Sequence, residues 1–184
     1  MGRLAPGCAR ILLSPTALPV RSALALALFA SLAVSASAQD RGLTALLDVA
    51  AADVGVGTRF GVGYRLGPHV PAVRGTALSG RTVVGDQVTE ETQLAEAALV
   101  YGLRLDAGGS TSLTISAGPS ILYRRLSPVD EQLQSVSDTG VGLAVELGVA
   151  VEVAPTVGFG VEGFGTFNGV QRLVGLGAGV RFRV

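Results

Sequence analysis

The chain has 184 residues, 48% of them hydrophobic and only 15% charged, and 26 are glycine. Its fourteen basic residues are all arginine and are matched by fourteen acids, which gives nucleic-acid binding no support; the single cysteine, Cys8, excludes a disulfide framework. Mean hydropathy is +0.51, yet no helix-length apolar run follows the N-terminal region, so the apolar residues belong to strands, as the glycine content also argues.

Residues 1–38 read as a secretory signal. Arg3, Arg10 and Arg21 precede an apolar run from Ala23 to Val34, and Ala36, Ser37 and Ala38 supply small residues at a cleavage position. The run is too short for a spanning helix of about 20 residues. The expected division is a signal peptide over 1–38 and one barrel domain over 39–184, with Gln39 as the first mature residue. Cys8 falls in the signal, so no thiolate chemistry is expected after it.

From there the sequence divides into eight segments of period two. The first, about 44–51, sets Leu47, Val49 and Ala51 against Asp48 and Ala50. The second alternates without a break from Val54 to Gly67, with Arg59 and Arg65 on the glycine row, and Gly67-Pro68-His69 turns it. The third, about 70–79, puts Val73 and Ala77 on one face and Arg74 and Thr76 on the other. A polar loop is predicted over 80–92. The fourth segment sets Ala95, Ala97, Leu99, Tyr101, Leu103 and Leu105 against Glu96, Ala98, Gly102 and Arg104. The fifth sets Leu113, Ile115, Ala117, Ile121 and Tyr123 against Thr114, Ser116, Gly118, Ser120 and Arg124, with a bulge expected at Pro119.

A second long loop is predicted over 127–138. The sixth segment alternates valine and leucine from Val141 to Val153 against Gly142, Ala144, Glu146, Gly148, Ala150 and Glu152. The seventh starts as Val157, Phe159 and Val161 against Gly158, Gly160 and Glu162, and its pattern blurs over 164–167. Asn168-Gly169 is a hairpin signal. In the eighth, Val174, Leu176, Ala178, Val180, Phe182 and Val184 face one way, and Leu173, Gly175, Gly177, Gly179, Arg181 and Arg183 the other.

The charged row is also the small row, which soluble exteriors rarely show, whereas a continuous apolar row suits hydrocarbon. With the N-terminus taken as inside, the turns after the second, fourth and sixth segments share one side and are short. The loops after the third and fifth share the other side and are long, the arrangement of outer-membrane barrels. A soluble periplasmic barrel, with the faces reversed, is the alternative. Tyr64, Tyr101, Tyr123, Phe167 and Phe182 are candidates for partial interfacial girdles.

On this repeated alternation and the terminal strand, residues 44–184 resemble the small outer-membrane β-barrel family of bacteria, similar to the OmpA-type transmembrane domain. That family's last strand usually ends in an aromatic residue; here Val184 is last and Phe182 stands two before it. The resemblance implies an all-β, eight-stranded antiparallel up-and-down barrel in the bacterial outer membrane, inserted by the barrel assembly machinery and surrounded by outer-membrane lipids.

The inward row carries Asp48, Arg59, Arg65, Arg74, Glu96, Arg104, Arg124, Glu146, Glu152, Glu162, Arg181 and Arg183. Eight strands leave a bore just wide enough for side chains, and lone charges there are costly, so these twelve should form a paired network. The expected role is structural or interactive at the cell surface, as a monomer, with the extracellular partner unspecified. A narrow pore or small-ligand-binding barrel is the alternative. His69, the only histidine, has no nucleophile or metal partner at a telling spacing, so no catalytic site, metal or cofactor is expected. The acidic loop residues Asp86, Glu90, Glu91, Asp130 and Glu131 read as solvated tips.

Overall fold

The computed structural model describes residues 41–84, 87–129 and 134–184; the expected signal segment and its junction at Gln39 lie outside the described residues. Eight strands follow one another: β1 (Arg41–Ala52), β2 (Gly55–Leu66), β3 (His69–Val84), β4 (Gln87–Gly108), β5 (Thr111–Pro128), β6 (Val136–Ala154), β7 (Val157–Asn168) and β8 (Leu173–Arg183). Each pairs antiparallel with the next, and β8 returns to β1 from Arg183↔Thr44 to Gly175↔Ala52, closing the barrel. Closure pairs the backbone along the wall and leaves no free edge in lipid.

The period-two pattern sorts the side chains as expected. Val49 and Val141 on the outward row are 73% exposed, whereas Asp48, next to Val49, is 1% exposed. From Val141 to Val153 the outward row of β6 is all valine and leucine. At about 3.4 Å per residue and a tilt of about 40°, that row climbs about 30 Å, enough for the apolar band of about 25 Å that such barrels present. Tyr64, Tyr101 and Phe182 lie toward the terminal end, where β1 begins and β8 ends, and Tyr123 and Phe167 toward the other. At the terminal end the connections are tight turns. Gly67 there has φ +60°, and Gly108 and Gly109 have φ +100° and +60°, conformations glycine adopts without penalty.

The structure corrects three local expectations. The polar segments 80–92 and 127–138 are mostly strand: β3 and β4 run on to Val84↔Gln87, and β5 and β6 to Leu126↔Val136. Apart from the buried Val83, the described side chains of these extensions are half-buried or exposed on both faces, so polarity there does not signal a loop. Cross-strand ion pairs hold them, Arg81 to Glu91 at 2.8 Å and Arg124 to Asp138 at 2.6 Å. Pro119 makes no bulge. Pairing of β4 with β5 lapses between Ala98↔Ser120 and Tyr101↔Ala117, but the register is the same on both sides, and Pro119 stays paired with Leu143. The missing proline N–H interrupts the ladder without adding a residue. The register does shift at Thr82/Val83, where Thr89 on β4 is the extra residue, and Val83 beside it is buried. Finally, the blurred stretch in β7 never loses its alternation: Phe164 and Thr166 are buried inside while Gly163 and Gly165 take the outward positions.

β3 to β6 contain 16, 22, 18 and 19 residues, against 11 or 12 in the other four strands. Pairing of β2 with β3 starts at Val56↔Ser79, and pairing of β6 with β7 starts at Gly142↔Asn168. The four long strands therefore continue past the barrel rim as a sheet. Among the described residues its two outer strands, β3 beyond Gly80 and β6 before Val141, have a strand neighbour on one side only. The outward row changes from apolar to polar where the sheet leaves the barrel: Ala95 gives way to Gln93 and Glu91, Tyr123 to Arg125 and Ser127, Val141 to Thr139 and Ser137.

Candidate functional site

The lumen is built in layers, and tilt connects them. Asp48, Arg59, Thr76, Glu96 and Leu122 are paired neighbours on five successive strands, all pointing inward. That row climbs from a charged layer at mid-height to an apolar layer near the projecting end.

The charged layer is one connected network. Arg59 on β2 is 2% exposed. It donates from Nη2 to Glu146 Oε1 at 2.5 Å and from Nη1 to Glu162 Oε1 at 3.0 Å. Its Nε reaches the Thr76 hydroxyl at 3.3 Å, and its guanidinium carbon lies 4.1 Å from the centroid of the Phe164 ring. The second oxygen of Glu146 accepts from Arg74 Nε at 3.3 Å and from the Ser116 hydroxyl at 2.8 Å. The second oxygen of Glu162 accepts from Arg181 Nη2 at 3.0 Å, and Arg181 Nη1 donates to Asp48. Buried carboxylates are thereby matched with planar guanidinium forks, the pairing that best offsets desolvation.

Six of the twelve expected lumenal residues, Asp48, Arg59, Arg74, Glu146, Glu162 and Arg181, thus meet in a single cluster. The other six do not. Glu96 accepts from the Thr166 hydroxyl at 2.5 Å instead of from an arginine. Arg124 stands at the projecting end with Asp138, which sequence reasoning had placed in a loop. Arg104 bridges Glu152 at 2.8 Å and Asp106 at 3.1 Å near the terminal end. Arg65 lies 4.0 Å from Asp106. Arg183 has no side-chain partner among the described residues.

Above the network Ala50, Leu78, Leu94, Leu122, Phe164 and Leu173 form an apolar cap, with Ala52, Val54 and Val170 packed against it. Leu122 and Leu173 are 0% exposed, so the cap seals the lumen at that end. Sequence reasoning placed Leu173 inside but missed Leu78, Leu94, Leu122 and Phe164. The available signal was that each is a large apolar residue on the inward row of its own strand. Below the network the lumen opens as a cavity of about 110 Å³, lined by Arg65, Arg74, Arg104, Arg181 and Arg183 and by the turn residues Ala154 to Thr156.

His69 begins β3 on the outward face at the terminal end, with Nδ1 2.5 Å from the Tyr101 hydroxyl. Asp48 lies inside the barrel, and Ser79 stands ten positions up the strand. No hydrolytic constellation assembles around this histidine among the described residues.

A family model described as the outer membrane protein beta-barrel domain matches residues 22–182. No curated protein matches the chain. Among solved structures, Neisserial surface protein A is 22% identical with a TM-score of 0.55, covering 81% of this chain and 100% of that one. The N-terminal β-barrel domain of Pseudomonas aeruginosa OprF is 13% identical with a TM-score of 0.54, covering 80% and 100%. Ail, the attachment invasion locus protein of Yersinia pestis, is 14% identical with a TM-score of 0.52, covering 77% and 97%; it has also been solved with the heparin analogue sucrose octasulfate. At these identities the likeness is one of fold.

Proposed function

The chain belongs to the outer membrane protein beta-barrel domain family, and from that premise we propose that it works at the cell surface as an interaction module, binding through the sheet that β3 to β6 raise above the membrane. It is a protein of the bacterial outer membrane. Short turns at the terminal end and long strands at the other support an orientation with the sheet outside the cell, since periplasmic turns are the short ones in such barrels. One observation carries the reading: among the described residues the sheet has two edges without a strand neighbour, 81–84 on β3 and 136–140 on β6. Unpaired backbone edges are templates for an added strand, and proteins normally cover or shorten them.

The occupant this surface favours is an extended protein segment. Ail's heparin-type ligand chemistry does not transfer, because acids outnumber arginines at the outer end. Asp86, Glu90, Glu91, Asp130, Glu131 and Asp138 stand against Arg81, Arg124, Arg125 and Arg172, and two of those arginines are already in ion pairs. The barrel acts as a monomer inserted by the assembly machinery; its wall is closed and leaves no edge in the membrane for a second copy. The cap and the filled lumen favour this role over a pore.

Cysteine-directed photo-crosslinking in intact cells tests it. Residues 39–184 contain no cysteine, so Thr82→Cys and Ser137→Cys place the probe on the two edges and Thr156→Cys on a periplasmic turn. The edge probes should capture a defined outside protein. Capture should vanish when the β3–β4 hairpin is cut at Gly80↔Thr92 and closed with a two-residue turn. Equal capture from all three positions, or capture unaffected by the cut, would overturn the proposal.

A further inference from the structure

We propose that the periplasmic mouth of the lumen is a binding site for a small oxyanion, a phosphate or carboxylate group, held chiefly by Arg183. This site lies at the opposite end of the barrel from the outer sheet and does not depend on it.

The cavity of about 110 Å³ opens at the end with the tight turns and is lined by five arginines and three glutamates. That volume holds a few water molecules or one tetrahedral anion. The carboxylates are turned away from it in function if not in space. Glu146 and Glu162 each have both oxygens engaged by arginines of the buried network, and Glu152 is bridged by Arg104. Among the charged side chains that line the cavity there are two more arginines than acids; adding Arg59 and Asp48 behind it changes nothing, and counting Asp106 at the rim leaves one.

Arg183 is where the surplus collects. It is half-buried, it lines the cavity, and its guanidinium has no side-chain partner among the described residues. Its position is fixed from the backbone, since its N–H donates to Thr156 O at 2.9 Å and its neighbour Val184 donates to Leu43 O at 2.9 Å. A guanidinium on an anchored backbone, with no side-chain partner among the described residues and in a partly dry funnel, is suited to bidentate capture of a planar or tetrahedral oxyanion. Arg65 and Arg104 on the facing strands of the same mouth add positive potential. Glu152 opposes the anion and also draws on Arg104, so it sets how tight the site is.

The probe is inorganic phosphate, titrated calorimetrically into the mature full-length barrel in an uncharged maltoside detergent, with chloride at equal ionic strength as the control. Saturable binding of phosphate over chloride is expected. Arg183→Gln should weaken it about tenfold or more, the loss of one charge-assisted contact. Glu152→Gln should tighten it, and Arg125→Gln on the outer sheet should leave it unchanged. Each variant is first checked for an unaltered strand signal by circular dichroism. Repeating the titration in nanodiscs of anionic phospholipid identifies the source: weaker apparent phosphate binding there means that lipid headgroups occupy the site, and equal binding means that it takes a free anion. Absence of saturable binding, an equal response to chloride, or the same affinity in Arg183→Gln as in Arg125→Gln would overturn the proposal.

Discussion

Replacing Arg59 by methionine tests whether the lumen is a dry, paired interior. The change removes the donors to Glu146 at 2.5 Å, to Glu162 at 3.0 Å and to Thr76 at 3.3 Å, together with the contact over Phe164. Both glutamates keep one arginine, Arg74 or Arg181, so neither is stranded outright. Removing one partner of a buried ion pair costs about 3–5 kcal/mol, and the lost cation–π contact adds about 1–2 kcal/mol. The remaining partners take back part of this, so about 3–5 kcal/mol is expected in total. The double variant Arg59→Met, Glu162→Gln should recover more than half of the loss, because every remaining charge keeps a partner, Arg74 with Glu146 and Arg181 with Asp48. Urea unfolding from lipid vesicles, followed by far-ultraviolet circular dichroism since the chain has no tryptophan, measures both. A cost for Arg59→Met below about 1 kcal/mol, no greater than for the exposed Arg125→Gln, would mean that water screens the lumen, and the reasoning would fail.

Two further predictions follow from the wall. Val145→Arg or Val149→Arg, on the lipid-facing row of β6, should destabilise by about 2–4 kcal/mol, whereas Gln93→Arg above the apolar band should cost under about 1 kcal/mol; the same unfolding measurement at each depth checks this, and equal costs would contradict the membrane boundary. Gly179→Ala would put a Cβ 2.0 Å from the Leu47 carbonyl oxygen on β1, so it should destabilise by about 1–3 kcal/mol or block closure. Gly163→Ala meets nothing nearer than 3.7 Å and should be neutral or stabilising by about 0.5–1 kcal/mol.

The architecture was legible in the sequence because a strand exposes its two faces as two interleaved rows. Apolar residues against glycine and charge, repeated over β2, β6 and β8, are enough to say which row meets lipid, and the short turns at Gly67-Pro68 and Ala154-Pro155 mark one end of the barrel. The inward list of charges was legible for the same reason. Who meets whom inside was not, because partners across the lumen are set by the stagger of the closed sheet. Arg59 reaches Glu146 and Glu162 across the bore, while Arg183, on the same row as Arg181 and one step lower, pairs with no acid among the described residues. Period two also says nothing about height along the barrel. The leucines at 78, 94 and 122 look like lapses in a polar row until register and tilt bring them together under Leu173. The projecting sheet was hidden for a related reason: where both faces of a strand meet water the alternation disappears, and only pairing such as Arg81 with Glu91 and Arg124 with Asp138 shows that the chain is still in a strand.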